Sequence, residues 1–236
     1  IFENYKQYTN RYIKNMKLLC KVTSRARPTE LLKCIKSYVD LCDNKKNLIW
    51  LFSFDANDES YINKEFVGKI HDIINDAIII FADSNSKIHA INRDVDKIYA
   101  WDILVNISDD QLAVTKGWDT EIINAMPSDL DASLWFNDGH QDRLNTMEIV
   151  GREYYERFNY IYHPLYKSFF CDNEAMEVAQ KLGKLIKVNK CIIKHFHPMW
   201  EKDTHMKKDE TYTKAETHWD FDKRLFSQRK SVNYGL

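Results

Sequence analysis

Apolar positions in the first half of the chain fall into short runs separated by stretches of helical period. Leu18 to Thr23 predicts a strand, and a polar turn from Ser24 to Pro28 follows it. Pro28 suits the first turn of a helix reaching about Leu41, with Leu31, Leu32, Ile35, Tyr38 and Val39 on one face. Leu48 to Phe54 predicts a second strand ending at Asp55. A helix over Lys64 to Asn75 then precedes a third strand at Ala77 to Phe81. Helical periodicity returns from about Lys87 to Tyr99, and Ile103 to Ile107 reads as a fourth strand. This alternation predicts an α/β fold whose mainly parallel sheet is covered on both faces. Sheets of this kind bind ligands at the carboxyl ends of their strands. Asp55 and the pair Asp109-Asp110 stand at such ends.

The second half is less regular. Leu134 to Asn137 predicts a strand entering an Asn-Asp-Gly turn at Asn137 to Gly139. A helix is expected from Glu174 to Leu182 with Gly183 as its stop, and Val188 to Phe196 reads as one further strand. From Glu201 onward the charged tail predicts exposed helix or loop. Gly and Pro are scarce, and neither repeat nor linker interrupts the chain, so residues 1–236 are expected to form one domain.

Composition narrows the possible partners. The net charge of −1 offers no global positive field for nucleic acid or an anionic membrane. Cys20, Cys34, Cys42, Cys171 and Cys191 are odd in number and widely spaced, the usage of reduced core thiols. No apolar run is long enough to span a bilayer. Because the chain starts at Ile1, a tether upstream of it stays open, and the expected location is cytoplasmic (host cytoplasm if the source is viral).

Several constellations carry candidate chemistry. Two adjacent carboxylates, Asp109 and Asp110, repel each other unless a cation sits between or beside them. The plain alternative is an acidic turn after a strand. Thr23, Ser24, Arg25 and Arg27 offer hydroxyls and guanidinium forks to a nucleotide, against a solvated turn before a helix. Asp55 could accept a hydrogen bond from a base or ribose, with Asp58 close by, and Asn92-Arg93 could reach a diphosphate. Asp172 reads equally as an N-cap or as a general base beside an acceptor hydroxyl. His195 and His197 share one face of a strand, so one could bind a metal next to the aspartates. Trp135-Phe136 with Tyr154, Tyr155, Tyr160 and Tyr162 is either an acceptor platform or core. The other histidines carry no comparable pattern.

In order along the chain, these pieces resemble the GT-A glycosyltransferases, in particular family-2-like enzymes and their phage- or virus-encoded relatives. The resemblance runs from about residue 17 to 200 and rests on motif order. It uses the Thr23–Pro28 turn, Asp55, Asn92-Arg93, Ser108-Asp109-Asp110, Cys171-Asp172-Asn173-Glu174 before a helix ending in Gly183, and His195-Phe196-His197-Pro198. Ile161-Tyr162-His163-Pro164 adds the phage-type flavour. Ser108 stands where a first carboxylate is common, and Cys171 where the base motif usually has Glu.

The resemblance implies a single GT-A-type, Rossmann-like domain with a mixed, mainly parallel sheet flanked by helices. A nucleotide-sugar-binding half would cover about 17–112, an acceptor and catalytic half about 113–200, and a tail about 201–236. It implies transfer of a hexose or pentose from a nucleotide-diphosphate donor, a UDP-sugar above all, to an acceptor hydroxyl with inversion. Thr23, Ser24, Arg25, Arg27, Asp55, Asn92, Arg93 and Asp109 would bind the donor. Asp110, His197 and His195 would hold Mn²⁺ or Mg²⁺. Asp172 or Glu174 would act as base, and Trp135, Asn137 and Asp138 would meet the acceptor. That acceptor would be a surface glycan precursor or a modified DNA base, the latter helped by Lys202, Lys207, Lys208, Arg224, Arg229 and Lys230. No protein partner is implied. Two other readings stay open, a nucleotidyltransferase acting on a sugar phosphate and an inactive GT-A-like binding module. The turn at Ser24 to Pro28 lacks the Gly and Lys that the nucleotidyltransferase usually needs.

Overall fold

A computed structural model describes residues 15–198 and 208–236 of the chain. Its centre is a seven-stranded sheet in the order β3-β2-β1-β4-β7-β6-β8. The strands are β1 (Leu18–Thr23), β2 (Leu48–Asp55), β3 (Ile78–Ala82), β4 (Ile103–Ser108), β6 (Ser133–Phe136), β7 (Ile149–Gly151) and β8 (Leu185–Val188). β7 alone runs against the others. A separate two-stranded ribbon pairs β5 (Gln111–Ala113) with β9 (Ile193–His195).

The helices are α1 (Pro28–Leu41), α2 (Lys64–Ile73), α3 (Lys87–Asn92), α4 (Trp118–Ala125), α5 (Arg152–Glu156), α6 (Cys171–Lys181), α7 (Glu210–Glu216) and α8 (Trp219–Ser231). Among the described residues no helix is long and apolar enough to cross a membrane. Side chains alternate across the strands, so β1 sends Leu18, Cys20 and Val22 into one core and Leu19 into another. The first core packs beneath α1, α2 and α4, and the second beneath α3, α5 and α6. Burial on both faces explains why these strands read as continuous apolar runs.

Two expected elements are cut short. The helix expected over Lys87 to Tyr99 ends at Asn92, because Asp94 adopts a left-handed φ of 72° and turns its carboxylate inward. There it accepts from Ser53 Oγ at 2.7 Å, Arg93 Nη1 at 2.5 Å and Lys97 Nζ at 2.7 Å. Lys21, buried on β1, joins this network by donating to Ser53 Oγ and to the Ala90 carbonyl. The strand expected over Val188 to Phe196 divides instead between two sheets. β8 extends the main sheet beside β6, while β9 leaves it and sets His195 opposite Gln111. That change of partner brings the His195 segment to the end of β4.

Candidate active site

Register sets the site. Thr23 stands between Ser53 and Ser108, so the loops after β1, β2 and β4 open at one level. The β1 loop turns sharply at Ala26, where φ is 56°. Asp58 holds that turn by accepting the Ala26 amide at 2.8 Å. The turn points Arg25 at Asp55 (2.5 Å) and Asn57 (2.9 Å), and Arg27 inward. Arg27 donates to Asp109 Oδ1 at 3.1 Å and holds both oxygens of Asp209, at 2.6 and 2.8 Å. Ser24 Oγ donates to the other oxygen of Asp109.

Asp109 and Asp110 are both nearly inaccessible, at 3% and 4% exposure. Burial and the charge of Asp110 push the Asp109 carboxyl above the usual carboxylate range. Asp110 moves the other way. Burial opposes its ionisation, but the His195 imidazole, 3.3 Å from Oδ2, together with Lys87 and the Tyr212 hydroxyl, holds it well below that range. Tyr212 donates to Asp110 Oδ2 at 2.9 Å, whereas Oδ1 is buried with no hydrogen-bond partner among the described residues. His195 is shifted upward, because Asp110 outweighs the burial that works against its charge. His197, 5.6 Å from His195 ring to ring, is pushed down to about 4 by burial and by the neighbouring imidazole. It is therefore neutral at pH 7, the form that ligates metals.

These groups suit a divalent cation. Among the described residues no three His, Cys, Asp or Glu side chains are already drawn together as a cluster. Yet Asp110 carries a carboxylate oxygen without a partner among the described residues, and the neutral His197 lies 5.6 Å from the His195 ring that contacts Asp110; carboxylate and imidazole are donors that Mn²⁺ accepts. A site with so few protein donors leaves positions for the oxygens of a ligand.

A cavity of about 230 Å³ opens beside the aspartates. Thr23, Ser24, Arg25, Arg27, Asp55, Asp109 and Asp110 all line it, so most of the expected donor and metal residues converge. Sequence reasoning missed its other walls. Lys87 comes from α3, Tyr212 and Lys214 from α7, and Lys167 and Ser168 from the loop before α6. Asp222 of α8 places that loop by accepting the amides of Lys167, Ser168 and Phe169 at 2.8 to 2.9 Å. α7 lies across the cavity through Asp209, which caps it, and through Tyr212, whose ring sits 3.9 Å from the Arg27 guanidinium.

Asp172 lies in the first turn of α6, half-buried. The N-cap position belongs to Phe170, which corrects the capping alternative for Asp172. Burial raises its carboxyl and the charges of Lys87 and His195 pull it back, but Asp172 does not line the cavity.

Other expected residues have structural duties. Asn92 accepts the Ile161 and Tyr162 amides and donates to the Tyr162 carbonyl at 2.6 Å, which ties down a loop instead of a diphosphate. Arg93 is spent on Asp94, Ser84 and the Phe54 carbonyl. Glu174 is 2% exposed and bound to Tyr166 (2.7 Å) and Arg229 (2.7 and 2.8 Å), so it supports the fold and is not a free base. Asp138 is 1% exposed and accepts from His140, Gln141 and Thr146, while Asn137 closes the same turn through the Gly139 amide. Trp135 lies under the Lys187 ammonium. None of these three borders the cavity. Phe136, Tyr154, Tyr155 and Tyr162 are buried, so the aromatic run is mostly core.

The basic tail is half committed, and its Arg224 is exposed. Lys208 pairs with Glu216, Arg229 with Glu174 and Lys230 with Glu177. Lys202 and Lys207 lie outside the described residues.

Neither a family model nor a curated protein matches the chain. Solved structures do. A mannosyltransferase from Pyrobaculum calidifontis, in complex with GDP-Man and Mn²⁺, superposes with a TM-score of 0.59 at 10% identity, over 77% of this chain and 56% of that one. TarS from S. aureus gives a TM-score of 0.60 at 10% identity, over 81% and 41%. Drosophila β-1,4-galactosyltransferase 7 with manganese, UDP-Gal and xylobiose gives 0.52 at 13% identity, over 84% and 78%. The fold is GT-A. The chain spans only about half the length of the first two of these GT-A proteins, 56% and 41%.

Proposed function

We propose that this chain is a metal-dependent glycosyltransferase that moves a sugar from a nucleotide-diphosphate donor to an acceptor hydroxyl. The observation that carries the reading is Asp110. Asp110 lines the cavity, its Oδ1 is buried without a partner among the described residues, and His195 stands 3.3 Å from its other oxygen with His197 5.6 Å beyond, ring to ring. A divalent cation held by Asp110 and His197, with His195 beside them, would neutralise charge growing on the leaving diphosphate. Thr23, Ser24, Arg25 and Asp55 would hold the nucleoside, and Asp109 the ribose side of the site.

As the acceptor oxygen attacks the anomeric carbon, the bond from that carbon to the β-phosphate breaks and its electron pair leaves with the phosphate. Asp172 takes the acceptor proton, and this single displacement inverts the anomeric carbon. Burial raises the pKa of Asp172, which makes the carboxylate a stronger base than an exposed one. A UDP-sugar is the favoured donor, and the motif order favours a family-2-like enzyme of the phage-encoded type. The favoured acceptor is a surface glycan precursor ahead of a modified DNA base, because the net charge of −1 offers no general field for DNA and Lys208, Arg229 and Lys230 of the basic tail are paired within the chain.

A thermal-shift screen of UDP- and GDP-sugars with and without Mn²⁺ tests the reading. A stabilisation that needs both metal and one donor is expected, since a ligand binding only the folded state raises stability as RT ln(1 + [L]/Kd). A response to nucleoside triphosphates alone, with pyrophosphate released on turnover, would replace the proposal with nucleotidyl transfer. Silence towards every nucleotide would leave a binding module.

A further inference from the structure

Trp135, Asn137 and Asp138, the residues expected at the acceptor, do not border the cavity, so the acceptor needs another surface. Three large aromatic side chains stand exposed among the described residues, Tyr99, Trp219 and Phe221. Tyr99 precedes β4, at the end of that strand away from Asp109. Trp219 opens α8, and its neighbours place it at the rim of the cavity. His218, the residue before it, lines the cavity. Its indole packs on Phe169 at 5.0 Å between ring centres, and the two residues before Phe169, Lys167 and Ser168, line the cavity as well.

The indole also packs on Phe170 at 4.9 Å, and Phe170 is two residues from Asp172. Trp219 therefore stands between the donor cavity and the helix end that carries the candidate base. An acceptor has to lie across that interval, because its hydroxyl meets the donor sugar on one side and the base on the other. The ring is braced for contact. Phe226 stacks on Phe170 at 5.7 Å and Asp222 holds the Phe169 amide, yet the Trp219 side chain keeps 46% exposure.

Resting on the glycosyl-transfer reading, we infer that Trp219 is an acceptor-binding residue on which a pyranose ring of a glycan stacks. The C–H face of a pyranose is apolar and packs on an aromatic face, while its hydroxyls stay hydrated at the rim. The charges flanking Trp219 favour this ligand. Asp220 and Lys223 are exposed beside it on the same helix and opposite in sign. A lipid surface or a dry protein interface would have to bury both, at a cost in desolvation. A stacked nucleic-acid base would want a run of cations for its phosphates, which this pair does not supply.

An array of immobilised oligosaccharides tests the inference, probed in Mn²⁺ with UDP or GDP by wild type, Trp219→Ala, Trp219→Leu and Trp219→Tyr. Calorimetry of each protein with UDP and GDP runs alongside. Wild type should be retained on a subset of pyranose-bearing glycans, and Trp219→Ala should weaken that binding about tenfold or more, the scale of a lost aromatic stack. Trp219→Leu keeps apolar packing on Phe169 and Phe170 should the alanine variant not fold, and should lose as much. Trp219→Tyr should recover most of the loss, and nucleotide affinity should be unchanged throughout. Equal glycan binding by wild type and Trp219→Leu, or no glycan bound by wild type, would overturn the inference and leave the transferase reading to the nucleotide data. An equal loss of glycan and nucleotide would mean damage to the fold and overturn it too. So would Trp219-dependent binding of single-stranded DNA or phosphatidylcholine vesicles in place of glycans, or a dimer in sedimentation that Trp219→Ala dissolves. Glycan binding through Trp219 by a chain that binds no nucleotide would keep the sugar subsite and overturn the transferase reading.

Discussion

Glu148→Gln should stabilise this protein, and increasingly so as pH rises above about 4.5. Glu148 precedes β7 and is 1% exposed. One carboxylate oxygen accepts from Ser133 Oγ at 2.9 Å, and the other has no partner among the described residues. Burial, with a further push from the charge of Asp172, raises its pKa from 4.5 to about 7, and the Ser133 hydrogen bond only partly offsets this. A raised folded-state pKa means that the stability from the neutral carboxyl is complete below the unfolded value of about 4.5. It is lost as pH climbs through about 7. A shift of about 2.5 units at about 1.36 kcal/mol each makes that loss about 3 kcal/mol.

Glutamine mimics the neutral acid, keeps an acceptor for Ser133 and does not titrate. The two proteins should therefore match near pH 4.5, and the variant should gain up to about 3 kcal/mol by pH 8. Urea unfolding of both proteins at several pH values from 4.5 to 8 measures this, and subtraction cancels every other titrating group. Equal m-values are required for the comparison to hold. A variant less stable than wild type at pH 8, or a difference that ignores pH, would refute the reasoning.

Gly151→Ala should cost several kcal/mol in thermal unfolding or prevent folding, because a Cβ there would lie 2.1 Å from the Leu130 carbonyl oxygen and backbone cannot yield. A melting temperature within a degree or two of wild type would contradict the packing of β7. Asp172→Asn should lower transfer about 10²–10⁴-fold, the range of a general base, while donor affinity by calorimetry stays the same. Weakened donor binding with unchanged turnover would assign Asp172 to the donor side.

Local pattern was enough for much of the donor half. The apolar runs at β1, β2 and β4, the amphipathic α1 behind Pro28 and the stop at Gly183 follow from short-range sterics and periodicity. Strand ends then located Ser24, Arg25, Asp55, Asp109 and Asp110 without knowledge of any contact. Asn92-Arg93 and Glu174 misled, because an exposed site and a buried polar network draw on the same residue types. Only folding shows that Arg93 is consumed by Asp94, or Glu174 by Arg229.

The division of Val188–Phe196 between two sheets was likewise invisible, since choosing β5 as the partner of β9 is a long-range decision. Most of what completes the cavity arises the same way. Tyr212 reaches Asp110 across 102 residues and Asp209 reaches Arg27 across 182, contacts to which no local period points. The sequence by itself determined the parallel sheet and the carboxylates at its edge, because strand propensity and burial act over a few residues. The tertiary structure decided which charges stay free to meet a ligand, because pairing depends on neighbours that only the folded chain brings together.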